Sequence, residues 1–132
     1  MTLIAFDFGM KRIGVAVGQT ISHTASPLPV LAAKDGMPQW QVIDSLFEEW
    51  TPSKVIVGLP LNMDGTQQPI TFAAKKFGQR VAHRYHLPVE FVDERLTTVE
   101  AKQLTSNKLT SLDSIAATLI LETWLRENHN EN

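Results

Sequence analysis

The chain has 132 residues, no cysteine, and 12 basic against 14 acidic side chains, a net charge of −2. That length fits one domain over residues 1–132, able to bury roughly two-thirds of its unfolded surface. The missing thiols exclude disulfides, thiolate metal sites and cysteine nucleophiles and agree with a reducing cytoplasm. No apolar run approaches the ~18 residues of a membrane span, and no leader-like N-terminus is present, so a cytoplasmic protein without membrane contact is expected.

The elements alternate. Leu3 to Phe8 and Arg12 to Val17 are apolar and β-branched, and Gly9-Met10-Lys11 between them reads as a hairpin turn. Pro27 and Pro29 within ASPLPVLAA push a third strand to a sheet edge or to merely extended chain. Beyond Asp35-Gly36, MPQWQVIDSLFEEW sets Trp40, Ile43, Phe47 and Trp50 at helical spacing, and Pro52 stops it. KVIVG reads as a strand buried on both faces. Asp64-Gly65 marks a turn, with Thr66 as N-cap of a helix to Tyr85 whose apolar side is Ile70, Ala73, Ala74, Phe77, Val81 and Tyr85. VEFVD, residues 89 to 93, is the next strand, and Thr97 with Glu100 has the spacing of a capping box for a short helix through Leu104. A last helix, apolar nearly all round, runs from about Leu112 to Arg126. Early strand pairing followed by βα units implies an α/β fold, a mixed sheet with helices on both faces.

Three carboxylates sit at informative places. Alternation along the first strand groups Ile4, Phe6 and Phe8 on one face and Leu3, Ala5 and Asp7 on the other, so Asp7 points where apolar neighbours point. A buried carboxylate is costly unless partnered. From the strand alone the stronger reading is structural, with Asp7 accepting bonds from the Gly9 to Arg12 turn or pairing with Lys11 or Arg12; the other is a metal ligand at a strand end. Glu94 follows the strand VEFVD, at the edge where open α/β sheets gather ligands, though an acid there also favours a helix start. Asp113, with Thr110 as N-cap, reads as a weak capping box. Taken together the three could converge, because one ends the first strand, one follows a late strand and one begins a helix that packs on the sheet.

AFDFGMKRIGVAVG, GLPLNMDGT, DERLTTVEA and DSIAATLIL occur in this order, and the pattern resembles the YqgF family, also called RuvX, described as Holliday junction resolvases and pre-rRNA nucleases. The resemblance spans nearly the whole chain. It implies an RNase H-like fold with a mixed five-stranded sheet, and catalytic, metal-binding acids at Asp7, Glu94 and Asp113, with Asp93 as neighbour or substitute. Two departures stand out. Gly18-Gln19 replaces a Ser-Asp common after the second strand, and the stretch from Ala101 to Asp113 is shorter than the usual glycine- and lysine-bearing loop, with Lys108 as a remaining cation.

Oxygen ligands favour Mg²⁺ or Mn²⁺, and two such ions could activate water and stabilise a leaving 3′ oxygen, with Asp7 bridging by fold analogy and Glu94 and Asp113 holding one ion each. His83 and His86 read as surface or phosphate contacts. Nucleic acid would be met by Lys11, Arg12, Asn62, Lys76, Arg80, Arg84, Arg95 and Lys108; an ordinary solvated helix face is the equal alternative for the cations of residues 75 to 86. The resemblance ranks processing of the 5′ end of pre-16S rRNA ahead of cleavage of branched DNA, which needs a two-fold dimer where a monomer or weak homodimer is expected. Two rivals remain: an actin-like ATPase, for which the chain is too short, and a non-catalytic RNA-binding ribosome assembly factor.

Overall fold

The computed structural model describes residues 1–96 and 111–128. One six-stranded sheet, ordered β4-β3-β2-β1-β5-β6, carries the fold. Its strands are β1 (Thr2–Asp7), β2 (Arg12–Gln19), β3 (Thr24–Lys34), β4 (Met37–Pro38), β5 (Lys54–Leu59) and β6 (Val89–Asp93). The hairpin strands β1 and β2 pair antiparallel, whereas β1, β5 and β6 run parallel. The mixed sheet is therefore as expected, and the two-residue β4 joins the five expected strands. With Pro27 and Pro29, β3 is nevertheless a full strand along β2: Pro29 falls at the register shift between Ile13 and Val15, and the strand's other side pairs only at Ala33 and Lys34.

Helices α1 (Trp40–Trp50) and α2 (Pro69–Tyr85) cover one face and α3 (Leu112–Glu127) the other. The alternation in β1 divides the core accordingly: Ile4, Phe6 and Phe8 join the α1/α2 cluster, and Leu3 and Ala5 the α3 cluster. The first is aromatic, with Phe77 edge-on to Phe6 at 5.2 Å and Phe47 against Tyr85 at 4.3 Å. All six residues expected on the apolar side of α2 lie in or against that cluster. The second is built on close approach. Gly14, Ala16 and Gly18 alternate along the α3 face of β2, and a Cβ at Gly14 would lie 1.9 Å from the Asp113 carbonyl oxygen.

Local starts differ from expectation in two places. The N-cap of α2 is Gln68, whose side chain and Thr71 form a reciprocal capping box, while Thr66 is taken by Asp64 Oδ1, which accepts from its N–H at 2.9 Å and its hydroxyl at 2.6 Å. Proline at the first helical position favours the later start. The cap of α3 is Ser111, accepting from the Ser114 N–H at 3.1 Å, so Asp113 is not the third helical residue of a box begun at Thr110. The expected Thr97–Leu104 helix lies outside the described residues; a single 3₁₀ turn, Glu94–Leu96, directly follows β6.

Candidate functional site

The topology places the acids at one edge. Strands β1, β5 and β6 are parallel, so Asp7, Leu59 and Asp93 all end at the same side of the sheet. Glu94 begins two strands away from Asp7, about 10 Å at ordinary strand spacing. It closes that gap across Gly58. Gly58 is level with Asp7 on the α3 face, and a Cβ there would stand 2.5 Å from Glu94 Oε1 and 2.5 Å from Ile120 Cδ1. The bare backbone thus lets the Glu94 side chain lie over β5.

Asp7 and Glu94 share a side-chain hydrogen bond. Burial first, then that bond, then the negative charges of Glu94 and Asp113 hold the Asp7 carboxyl well above the usual range, so the proton is retained between two acids that would otherwise repel. Neither Lys11 nor Arg12 neutralises Asp7, contrary to the structural reading of the strand. Arg12 instead meets Asp113, Nε to Oδ2 at 3.1 Å.

Asp113 is delivered by α3, whose first turn is pinned to β2. The buried Ser114 hydroxyl accepts from the Val15 N–H at 3.2 Å, and glycine at position 14 permits the contact. Ser114, Gly14 and Gly58 position the acids, and the sequence reading passed over all three. The signal was available in the small-residue alternation of RIGVAVG, which marks close backbone approach.

The remaining candidates fall into two groups. Lys11, Arg12, Asn62 and Arg95 border the acidic edge. Arg95 donates to Asp93 through its backbone N–H, Nε and Nη2, and through Nη1 to the Met63 carbonyl at 3.1 Å. That ion pair holds the Asp93 carboxyl below its usual range, and it takes up the group expected to stand in for Glu94. Asn62 belongs to the β5–α2 loop, donating to Thr66 Oγ1 at 2.9 Å. Lys76, Arg80 and Arg84 are not brought to the acids: they line a groove with Trp40 on α2, whose core contacts are all on the α1/α2 face. Lys108 lies outside the described residues.

The carboxylates offer oxygen donors alone, which would suit a hard dication, and burial first, then the neighbouring acids, already raises Asp7. Among the described residues, however, no three His, Asp or Glu side chains stand together as a finished metal cage. Asp113 is turned onto Arg12. No described helix is long and apolar enough to cross a membrane.

Known proteins resemble this chain in sequence and in fold. Residues 1–127 match the family model described as RuvX, Holliday junction resolvase. A relative from Coxiella burnetii (strain Dugway 5J108-111) is 52% identical across 97% of this chain and 94% of its own length. Another from Saccharophagus degradans is 54% identical, covering 96% and 94%. Both bear the name "Putative pre-16S rRNA nuclease". Among solved structures, Thermus thermophilus RuvC in complex with a Holliday junction substrate superposes with a TM-score of 0.57 at 14% identity, over 98% of this chain and 97% of that one. The Fowlpox virus resolvase in complex with junction DNA gives 0.58 at 14% identity, over 96% and 98%. These two show the fold, the RNase H-like arrangement of sheet and helices. With the family model spanning nearly all of the sequence and relatives half identical to it, the chain belongs to the RuvX family.

Proposed function

We propose that this protein is a divalent-metal-dependent nuclease that hydrolyses phosphodiester bonds of precursor ribosomal RNA, with Asp7, Glu94 and Asp113 as its catalytic acids. The observation that carries the reading is the meeting of Asp7 and Glu94 over Gly58 beneath the start of α3. Two acids held together, one of them forced to keep its proton, are unfavourable for folding alone, and their retention is the mark of a site with a task.

Asp7, Glu94 and Asp113 would hold Mg²⁺ or Mn²⁺. The bound ion supplies activation of water and stabilisation of the leaving oxygen. To hold an ion, Asp7 would have to release its proton to solvent and Asp113 would have to turn from Arg12. With Asp113 turned to an ion, the Arg12 guanidinium would be available, with Lys11, to neutralise phosphate charge. Arg95, braced by Asp93 and the Met63 carbonyl, holds the loop carrying Asn62 close to that phosphate path.

The relatives' name favours an RNA precursor, and the junction complexes of the resolvases of like fold make branched DNA the second substrate to test. Wild type and Asp7→Asn are compared on a ribosomal precursor and on a four-way junction, with Mg²⁺, with Mn²⁺ and with chelator. Cutting of the precursor only by wild type and only with metal is expected. Equal cutting by the variant overturns the proposal, and a protein that binds the precursor in chelator yet never cuts is an assembly factor instead.

A further inference from the structure

The groove on α2 has features that the carboxylate edge does not use. It has a volume of about 440 Å³ and is lined by Trp40, Lys76, Gln79, Arg80, His83 and Arg84. Lys76 and Arg80 are exposed, four residues apart on one helix face, and no carboxylate pairs with either among the described residues. Like charges at that spacing repel. The segment from Gly65 to Val89 contains no acidic residue that could relieve them.

Arg84 differs from its neighbours. Its Nε and Nη2 donate to the two Asp44 oxygens at 3.0 and 2.9 Å, which fixes the guanidinium plane. That plane lies 5.4 Å from the centroid of Trp40, itself stacked on Phe77 at 6.0 Å and 18°. The groove therefore joins a rigid planar surface backed by aromatic rings to two uncompensated cations. Unpaired bases stack on such planes while their phosphates seek such cations. Duplex hides its base faces and gains only the charge contacts.

We propose that the Trp40–Lys76–Arg80–Arg84 groove binds an unpaired segment of the substrate strand, on the sheet face opposite the catalytic acids. The inference rests on the nuclease reading for its substrate. A path exists: α2 starts where the Gln68 side chain donates to the Pro60 carbonyl at 3.1 Å, at the edge where β5 ends. From that cap Lys76 is about 12 Å and Arg84 about 24 Å along the helix. A strand leaving the acids over the β5–α2 loop can thus continue down α2.

Binding is read by fluorescence anisotropy on the full chain in chelator, with labelled strands of about ten nucleotides, a typical single-strand footprint. Wild type is expected to bind the unpaired strand several-fold tighter than a duplex of equal length or an inorganic polyphosphate. The Lys76→Ala/Arg80→Ala variant should bind it about ten-fold more weakly and lose roughly 1.4 from the slope of log affinity on log salt, about 0.7 per phosphate contact. Arg84→Lys, which keeps the charge but removes the fixed plane, should weaken strand binding and leave polyphosphate binding as it was. Selective binding of RNA strands, or of RNA and DNA strands alike, supports the groove. Unchanged affinity in the double variant, or equal affinity for strand, duplex and polyphosphate, overturns it. Because no metal is present and no cleavage is scored, this result is independent of whether Asp7→Asn abolishes cutting.

Discussion

The two ends of α3 meet the sheet on opposite electrostatic terms. At its C-terminal half, Trp124 Nε1 donates to Glu90 Oε1 at 3.3 Å, Lys54 pairs with the same carboxylate, and the Lys54 ammonium stands 5.1 Å from the Trp124 ring centroid. At its start, Asp7 meets Glu94 and feels the charge of Asp113, which itself is turned onto Arg12. Glu90 lies near the start of β6 and Glu94 directly after its end, yet one is set against a cation and the other against a second acid. A carboxylate that only holds the fold is set against a cation; an edge where acid is set against acid is where a cationic ligand has something to add.

The largest test of that contrast is Asp7→Asn. A catalytic ion worth several kcal/mol of transition-state stabilisation implies a fall in cleavage rate of at least ~10³-fold. The same substitution should raise stability by about 1–3 kcal/mol at pH 8, because it removes a buried acid whose ionisation the fold opposes. Cleavage assays and thermal melts on one preparation check both. Lost activity with lowered stability would make Asp7 a structural residue.

The pH dependence follows with a definite sign. Asp7 keeps its proton in the folded state above the range where it would lose it unfolded, so its contribution is fully present below that range and declines as pH rises through the higher folded value. Wild-type melting temperature should fall between weakly acidic and alkaline pH by more than that of Asp7→Asn. Saturating Mn²⁺ should restore it at the alkaline end, by about 2.7 kcal/mol at a hundred times Kd, in wild type alone. Curves of the two proteins that run parallel would contradict this.

Gly58→Ala sharpens the comparison with little change of chemistry. One methyl group would press on Glu94 Oε1 and Ile120, and overpacking of this kind costs about 1–3 kcal/mol. Glu94 must then shift off Asp7, which removes its bond and charge but not the burial that chiefly raises Asp7, so the alkaline loss of stability should flatten in part, along with a loss of metal binding. Calorimetric titration with Mn²⁺ reads the second effect, and unchanged affinity would show that Glu94 need not cross β5.

Much of this was legible in the sequence, for unequal reasons. Period-two alternation in β1 assigned Asp7 to the α3 face, and the spacing of Ile70 to Tyr85 gave the buried side of α2, since burial dictates both patterns. Caps were less legible: Thr66, Gln68, Thr110 and Ser111 are all chemically able to cap, and tertiary contacts chose among them. The meeting of Asp7 with Glu94 depends on β5 lying between β1 and β6, a pairing that no local pattern encodes. The basic run of α2 was visible as composition, but its separation from the acids follows only from which face the helix covers.

The smallest expected effect lies at the matched end of α3. Glu90→Gln removes a charge that Lys54 first, then the Trp124 indole, hold in the ionised form, so the Glu90 carboxyl lies below its usual range. Its contribution is present above the unfolded glutamate value and is lost as pH falls through the lower folded one. The variant should therefore be less stable than wild type near pH 7, by no more than the 0–1 kcal/mol of a part-exposed pair, and the difference should close in acid as wild-type Glu90 takes up its proton. This trend with pH is opposite to that of Asp7. A Glu90→Gln deficit that grew in acid, or a variant more stable than wild type at neutral pH, would erase the distinction between a carboxylate kept for the fold and those kept for a ligand.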